Sequence, residues 1–219
     1  MIRGAPAGKR FVQATLDTFD VTPFNRKGLE ACRKLVRGET GGVVLRGPVG
    51  VGKTHLLVGL VKAFESERMP AQLDEEVIEL PRFRELVEAG EVDETMSPVT
   101  LDPSERIHEP HIEYWPMLDL ASELRSEVMQ GDLFLSQRCR LCDLLVLDDL
   151  GREKLTDFIL QEFQRIVDWR YREELPIAIA TNLKPREFVN RYGENTYSRW
   201  QQSCEIVEIT GPDHRVEGR

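Results

Sequence analysis

Two kinds of apolar pattern alternate along this chain. Stretches in which apolar residues recur every three or four positions predict helices, and short unbroken apolar runs predict buried strands. Predicted helices cover residues 22–37, 54–67, 116–130 and 156–173, with a shorter one at 82–89. Predicted strands cover residues 43–45, 112–115, 144–147, 177–180 and 206–209. Because strands and helices alternate, the pattern predicts an α/β fold with a five-stranded parallel sheet and helices on both faces.

Negative charge is concentrated in one segment of the chain. Residues 71–110 contain twelve Asp and Glu, three Arg and no Lys, which accounts for the whole formal net charge of −9. Short connections are usual between a helix and the next strand, so we interpret this segment as an acidic insertion. It could give partner specificity, mask a nucleic-acid site by imitating phosphate charge, or be a tolerated loop. The remaining, nearly neutral body does not favour tight unassisted nucleic-acid binding.

The rest of the composition favours a cytoplasmic protein with reduced cysteines. No apolar run approaches the ~20 residues needed to span a bilayer. Residues 1–10 lack the apolar region of a secretory signal. The chain has four cysteines, too few for a disulfide framework at this length. Cys139 and Cys142 have the spacing of half a zinc site, but structural zinc needs four ligands, so we expect packed thiols.

The strand at 43–45 runs directly into a glycine-rich loop. Residues 47–54 match the phosphate-binding pattern Gly-x-x-x-x-Gly-Lys-Thr, and a predicted helix follows. Glycines let consecutive backbone N–H groups surround phosphate oxygens, and the start of the helix favours an anion. We expect Lys53 to contact the β- and γ-phosphates and the Thr54 hydroxyl to bind Mg²⁺. The alternative is a strand-to-helix turn that binds nothing.

Polar residues end the next two strands of the predicted sheet core. Asp148 and Asp149 follow the apolar run 144–147. We expect Asp148 to bind Mg²⁺ and Asp149 to act as a general base toward the attacking water. Asn182 follows the strand at 177–180, where it could contact that water and the γ-phosphate. Asn is also a common turn former, so a plain turn is the alternative.

Together these motifs resemble the AAA+ ATPases of the DnaC/IstB group, which are bacterial helicase loaders and transposition helper ATPases. Residues 15–25 resemble the lead-in segment that lies near the adenine in this group. Residues 47–55 resemble its Walker A motif and residues 144–151 its Walker B motif. The resemblance implies that ATP is bound by Gly47, Pro48, Val49, Gly50, Val51, Gly52, Lys53, Thr54 and His55.

Three further positions take their roles from the resemblance. Asn182 matches the sensor 1 position, and Arg199 matches the arginine finger in the segment 192–199. Asp213-His-Arg215 resembles the terminal Asp-x-x-Arg of the group with one residue fewer, which makes Arg215 a sensor 2 candidate. The resemblance therefore implies catalytic roles for Asp149, Asn182 and Arg199, with Mg²⁺ held by Thr54 and Asp148.

The resemblance also implies an organisation and a function. Residues 1–21 would form the N-terminal lead-in and residues 22–219 a P-loop ATPase domain, with the insertion at about 71–110. No helical lid is expected, because the chain ends soon after the fifth strand. Expected partners are further copies of the chain on ATP binding, a replicative helicase or transposase, and single-stranded DNA. Many AAA+ proteins carry Glu where this chain has Asp149, so an ATP-gated adaptor with little hydrolysis is the alternative. A small-molecule kinase would need an arginine-rich lid, which is not evident.

One arginine cluster on the predicted helix 156–173 remains open at this stage. Arg165, Arg170 and Arg172 could face nucleic acid, or they could lie on an ordinary solvated helix face.

Overall fold

The structure is a computed structural model that describes residues 2–3, 11–68, 110–131 and 134–213. These residues belong to one compact unit. The predicted helix at 82–89, the acidic segment up to residue 109 and the sensor 2 candidate Arg215 lie outside the described residues.

Seven helices and six strands are described. The strands are β1 (Ile2–Arg3), β2 (Gly42–Arg46), β3 (Ile112–Pro116), β4 (Leu144–Leu150), β5 (Ile177–Thr181) and β6 (Cys204–Glu208). The helices are α1 (Arg26–Val36), α2 (Lys53–Arg68), α3 (Met117–Gln130), α4 (Phe134–Leu141), α5 (Asp157–Arg172), α6 (Pro185–Tyr192) and α7 (Glu194–Ser203).

The strands form one parallel sheet in the order β1-β3-β4-β5-β2-β6. This confirms the predicted five-stranded parallel sheet, and the two-residue strand β1 extends it at one side. Parallel strands all end at the same edge of a sheet, which we call the carboxyl edge, and all begin at the opposite amino edge. The glycine-rich loop follows β2, and Asn182 follows β5, so both lie at the carboxyl edge.

Each face of the sheet is covered by its own apolar cluster. Along β4, Leu144 and Val146 belong to the cluster that contains α1 and α2, whereas Leu145 and Leu147 belong to the cluster that contains α3 to α7. This alternation is the period of two that a strand imposes on its side chains. A strand with both faces covered has no polar face, which is why β4 reads as an unbroken apolar run.

Three of the differences between the predicted and the observed elements have an evident structural basis or bear on the site. The first helix begins at Arg26 rather than residue 22, because the Asn25 side chain accepts a hydrogen bond from the Thr22 amide at 2.7 Å and holds a turn there. Strand β4 continues to Leu150 and includes both acids. Helices α4 and α6 were not predicted; Pro185 occupies the first position of α6, where its fixed φ suits a helix start.

The cysteines pack as expected for reduced thiols. Cys32, Cys139 and Cys142 are buried and free, and burial raises the pKa of Cys142 to about 11. No group of potential metal-binding side chains of the His, Cys, Asp and Glu type occurs among the described residues. Within the same part of the chain, no helix is both long and apolar enough to cross a membrane.

Candidate nucleotide site at the carboxyl edge

The loop between β2 and α2 has a backbone that requires glycine. Gly50 and Gly52 have φ angles of 84° and 97°, in the left-handed region that side chains disfavour. A Cβ at Gly47 would lie 2.0 Å from the Ile209 carbonyl oxygen, and one at Gly50 would lie 1.7 Å from the Asp213 carboxylate. The loop is therefore shaped by backbone conformation on one side and by close contact with residues 209–213 on the other.

Lys53 lies at the centre of this loop. It is 6% exposed, and its Nζ donates to the carbonyl oxygens of Gly47 at 2.8 Å and Pro48 at 2.6 Å. It also donates to Oδ1 of Asn182 at 2.7 Å. The structure thus brings the two predicted phosphate-contacting side chains into direct contact, although they are 129 residues apart in the sequence.

The two predicted Mg²⁺ ligands also contact each other. The Thr54 hydroxyl donates to Oδ2 of Asp148 at 2.9 Å, and the Tyr114 hydroxyl donates to the same oxygen at 2.8 Å. The Asp149 amide donates to Oδ1 of Asp148 at 2.9 Å. Asp148 is 7% exposed, and this burial raises its pKa, while the hydrogen bonds from Tyr114 and Thr54 act in the opposite direction.

These donor sets fit a nucleoside triphosphate with a divalent ion. Hydroxyl and carboxylate oxygens, here from Thr54 and Asp148, are the ligands that Mg²⁺ prefers. The open glycine loop, the start of α2 and the ammonium group of Lys53 supply the N–H donors and positive charge that phosphates require. A buried carboxylate such as Asp148 is costly on its own and gains most from a cation beside it.

Asp149 lies at the same edge but its carboxylate is engaged by a neighbour. Its φ is 53°, which is rare for a residue with a side chain. Its Oδ2 accepts from Nη1 of Arg152 at 2.8 Å, and the side chains are 40% and 67% exposed, respectively. The predicted general base is therefore placed beside Asp148 and held in an ion pair.

His55 and the lead-in segment form a separate contact behind the loop. The His55 ring nitrogen Nε2 lies 3.2 Å from the Thr15 carbonyl oxygen, and its ring meets the Phe19 ring edge-on at 5.2 Å. Burial lowers the pKa of His55. Leu16 and Phe19 are buried in the cluster that contains α2. The structure thus places His55 against the lead-in segment.

Arg199 lies at the amino edge of the sheet, away from the loop of its own chain. It is in the second half of α7, five residues before β6 begins at Cys204. Its Nη1 forms an ion pair with Oδ1 of Asp168 on α5, and its guanidinium lies 6.0 Å from the centre of the Tyr171 ring. The structure therefore does not bring Arg199 together with the other predicted site residues.

Arg170 does not fit either interpretation of the arginine cluster. It is 1% exposed and donates to backbone carbonyl oxygens of Cys139, Arg140 and Cys142 at 3.0, 3.2 and 2.9 Å, and to that of Pro176. A side chain so placed cannot face nucleic acid or solvent. Helical spacing puts Arg170 four and three positions after the apolar residues Ile166 and Val167, whereas Arg172 lies on nearly the opposite face, so this spacing was the available signal that Arg170 is buried.

Sequence reasoning also missed two residues at the carboxyl edge. Tyr114 and Arg152 contact the predicted acids Asp148 and Asp149. Arg152 could have been found from its spacing of three residues after Asp149. Tyr114 could not, because its contact depends on which strand lies beside β4 and in which register.

Similarity to known proteins is found through structure. No protein-family model and no curated protein sequence matches the chain. A DnaC helicase loader structure aligns over 93% of this chain and 100% of its own, with 24% identity and a TM-score of 0.64. A DnaI structure aligns over 96% and 98%, with 19% identity and a TM-score of 0.64. The replication initiator DnaA, bound to AMPPCP and single-stranded DNA, aligns over 92% of this chain but 51% of its own, with 20% identity and a TM-score of 0.64.

The three structures share the P-loop α/β architecture described above, with the sheet and covering helices in common. The chain therefore has the fold of these DnaC, DnaI and DnaA structures, as its motifs predicted.

Proposed function

We propose that the chain is an AAA+ ATPase that binds Mg²⁺ and ATP, self-associates, and loads or remodels a partner in DNA replication or transposition. One observation carries this proposal. Four residues from three separate parts of the chain, Lys53 with Thr54, Asp148 and Asn182, form two hydrogen-bonded contacts at one edge of the sheet. Lysine and asparagine side chains suit phosphate binding, and threonine and aspartate side chains suit Mg²⁺ binding. Lys53 contacts Asn182, and Thr54 contacts Asp148.

Nucleotide binding follows from the loop and from Lys53. The ammonium group of Lys53 donates to two carbonyl oxygens of the loop at 2.6–2.8 Å. We propose that it contacts the β- and γ-phosphates of a nucleotide bound in this loop. Asn182, held by Lys53, would be within reach of the γ-phosphate and the attacking water. ATP is therefore the proposed cofactor, with Mg²⁺ held by Thr54 and Asp148.

Hydrolysis would require two further groups. Asp149 is the proposed general base because it adjoins the metal-binding carboxylate. Arg199 is the proposed arginine finger, which acts on a second copy of the chain. The five-residue strand β2 rises about 3.3 Å per residue, so the two edges of the sheet are about 16 Å apart. Arg199 is at the amino edge and its own phosphate loop is at the carboxyl edge, so it could reach only a neighbour's nucleotide.

The partner classes rest on the structural relatives and on the motifs. DnaC is a helicase loader, and the DnaA structure contains single-stranded DNA. We therefore propose a replicative helicase or a transposase as the protein partner, with single-stranded DNA as a further ligand. Within the proposed ATPase domain at 22–219, the acidic segment 71–110 would give partner specificity, and residues 1–21 would form the lead-in. We place this activity in the cytoplasm.

The second candidate is an ATP-gated adaptor with little hydrolysis. It is favoured by the state of the two hydrolytic residues, since Asp149 is paired with Arg152 and Arg199 is paired with Asp168 within the same chain. Such a protein would use ATP to change shape or assembly and would release it slowly.

ATP turnover per subunit, measured across protein concentration with and without single-stranded DNA, separates the two candidates. The ATPase should show turnover per subunit that rises with concentration, because the site is completed by a neighbour. Tight ATP binding without turnover at any concentration would favour the adaptor.

A mixing experiment tests the role of Arg199 directly. Arg199→Ala keeps a sound phosphate loop, and Lys53→Ala keeps a sound arginine. Each variant alone should be inactive. Their mixture should recover part of the activity, because some interfaces would pair an intact Lys53 in one subunit with an intact Arg199 in the next. No recovery at any ratio, from folded variants shown to co-assemble, would exclude action across a subunit boundary.

A further inference from the structure

The hydroxyl group of Tyr114 is bound to the acid that is proposed to hold Mg²⁺. Tyr114 lies on β3, next to β4, and is 1% exposed. Its hydroxyl donates to Oδ2 of Asp148 at 2.8 Å, inside the protein. The ring belongs to the apolar cluster that contains α1 and α2, and a phenylalanine ring would serve equally well for packing there. The hydroxyl is the part of the side chain that packing alone does not explain.

The sheet register explains how this contact arises. Tyr114 on β3 pairs with Val146 on β4, and Pro116 pairs with Asp148. Tyr114 therefore lies beside the residue that is two positions before Asp148 in β4. Side chains two positions apart lie on the same face of a sheet. A tyrosine at this position can therefore extend along the face to the carboxylate at the strand end, and its length matches the span.

Three donors together fix the Asp148 carboxylate. Oδ1 accepts from the Asp149 amide at 2.9 Å, and Oδ2 accepts from both Thr54 and Tyr114. The Thr54 hydroxyl is itself a proposed Mg²⁺ ligand, so its hydrogen bond to Asp148 would be weakened or lost when the metal is bound. Tyr114 is then the side chain that keeps Oδ2 in position.

We infer that Tyr114 is a positioning residue that orients the Asp148 carboxylate for Mg²⁺ binding. This inference rests on the proposed function, since it concerns the same site. Partners that orient a metal-binding side chain typically change metal affinity or activity by about 10–100-fold when they are removed. A tyrosine with only a structural role would instead change stability and leave the Mg²⁺ dependence unaltered.

Tyr114→Phe tests the inference, because it removes the hydroxyl and keeps the ring. The measurement is binding of a fluorescent ATP analogue during a Mg²⁺ titration and again in EDTA, together with thermal unfolding. We expect the half-saturating Mg²⁺ concentration to rise about tenfold or more, with metal-free binding of the analogue unchanged. The variant should fold, because Asp148 keeps its hydrogen bonds from Thr54 and the Asp149 amide.

Tyr192→Phe is the matched control. Tyr192 is also fully buried and donates its hydroxyl to a carboxylate, that of Glu153. It has no contact with Thr54 or Asp148 among the hydrogen bonds of the described residues. Its replacement should lower thermal stability and leave the Mg²⁺ titration as in the unmodified protein.

A double-mutant cycle provides a second measurement that does not depend on the size of the single effect. In an Asp148→Asn background, adding Tyr114→Phe should cause no further change in the Mg²⁺ dependence, because the group that Tyr114 positions is already lost. An unchanged Mg²⁺ titration in Tyr114→Phe, or equal effects in both backgrounds, would overturn the inference while the proposed function stood. Absence of Mg²⁺-dependent binding in the unmodified protein would overturn both.

Discussion

Two buried cations at opposite edges of the sheet make an instructive pair. Lys53 at the carboxyl edge is 6% exposed and Arg170 at the amino edge is 1% exposed. Both donate mainly to backbone carbonyl oxygens. Burial and hydrogen bonding alone would therefore assign them the same role.

Their acceptors show the difference. Arg170 binds carbonyl oxygens at the end of α4 and just before β5, where a helix end leaves carbonyls without internal partners. The Pro176 carbonyl oxygen also accepts from the Leu145 amide at 3.2 Å and the Cys139 carbonyl oxygen from the Cys142 thiol at 3.7 Å, so Arg170 adds to the donors that these groups already have. Lys53 binds the carbonyl oxygens of its own glycine-rich loop and the side chain of Asn182, both at the carboxyl edge of the sheet. A buried cation is thus structural when it completes secondary structure, and it is a candidate for function when it closes a loop that can accept a ligand instead.

Replacing Arg170 should have the largest effect on the fold. Arg170→Met removes a hydrogen-bond donor from four carbonyl groups, and each buried acceptor that is left unsatisfied costs about 1–3 kcal/mol. We expect the free energy of unfolding to fall by about 3 kcal/mol or more, which lowers the melting temperature by about 6–12 °C in a chain of this size. Thermal unfolding followed by circular dichroism measures the change.

The matched control is Arg172→Met on the same helix. Arg172 is exposed and lies over the Trp169 ring at 5.6 Å, so its loss should change the melting temperature much less. Equal effects of the two substitutions would mean that the carbonyl contacts of Arg170 contribute little.

Replacing Lys53 should affect nucleotide binding more than stability, and the expected change in free energy is smaller than for Arg170. Lys53→Ala removes a charge-assisted contact worth about 1.5–3 kcal/mol, so ATP affinity should fall about 10- to 150-fold. Stability without nucleotide should change less than in Arg170→Met, because Pro48 and Asn182 are exposed and can bind water instead, and only the acceptor on Gly47 is buried. Calorimetric titration with ATP and thermal unfolding measure the two effects.

Lys62→Ala on the same helix is the control for this substitution. The Lys62 ammonium donates to the carbonyl oxygens of Phe11 and Val12 rather than to the glycine-rich loop. Its replacement should leave ATP affinity unchanged. Unchanged ATP affinity in Lys53→Ala would contradict the assignment of the loop as a phosphate site.

The sequence predicted the carboxyl edge much better than the amino edge, for a physical reason. The glycine-rich loop, the two acids in the second half of β4 and Asn182 are local motifs, because each needs a strand end and only a few residues around it. The fold followed from the same alternation of strands and helices. The contacts of Arg170 and Tyr114 involve residues that are distant in the sequence, so they depend on packing that no short pattern records.

The apolar pattern also misplaced the start of the first helix. The predicted helix 22–37 includes Phe24, but Phe24 precedes α1 and is 61% exposed. The turn held by the Asn25 side chain determines where the helix begins.

The smallest effect is expected from Arg152, the cation that pairs with the proposed base at the carboxyl edge. The pair spans 2.8 Å between two partly exposed side chains, and exposed ion pairs contribute little to stability. Unlike Arg170, Arg152 does not donate to the carbonyl oxygens of a helix end, so its loss should alter ATP turnover rather than folding. Arg152→Ala frees the Asp149 carboxylate to act on water, and we expect basal ATP turnover to rise by a factor of about five at most, which corresponds to about 1 kcal/mol. Arg152→Lys retains the charge and should remain near the original rate.

In an Asp149→Asn background, where loss of the base should lower turnover about 10²–10⁴-fold, Arg152→Ala should have no effect. A rise that persists in that background would show that Arg152 acts on something other than Asp149. A fall in turnover in the single variant would show instead that the ion pair holds the base in its working position.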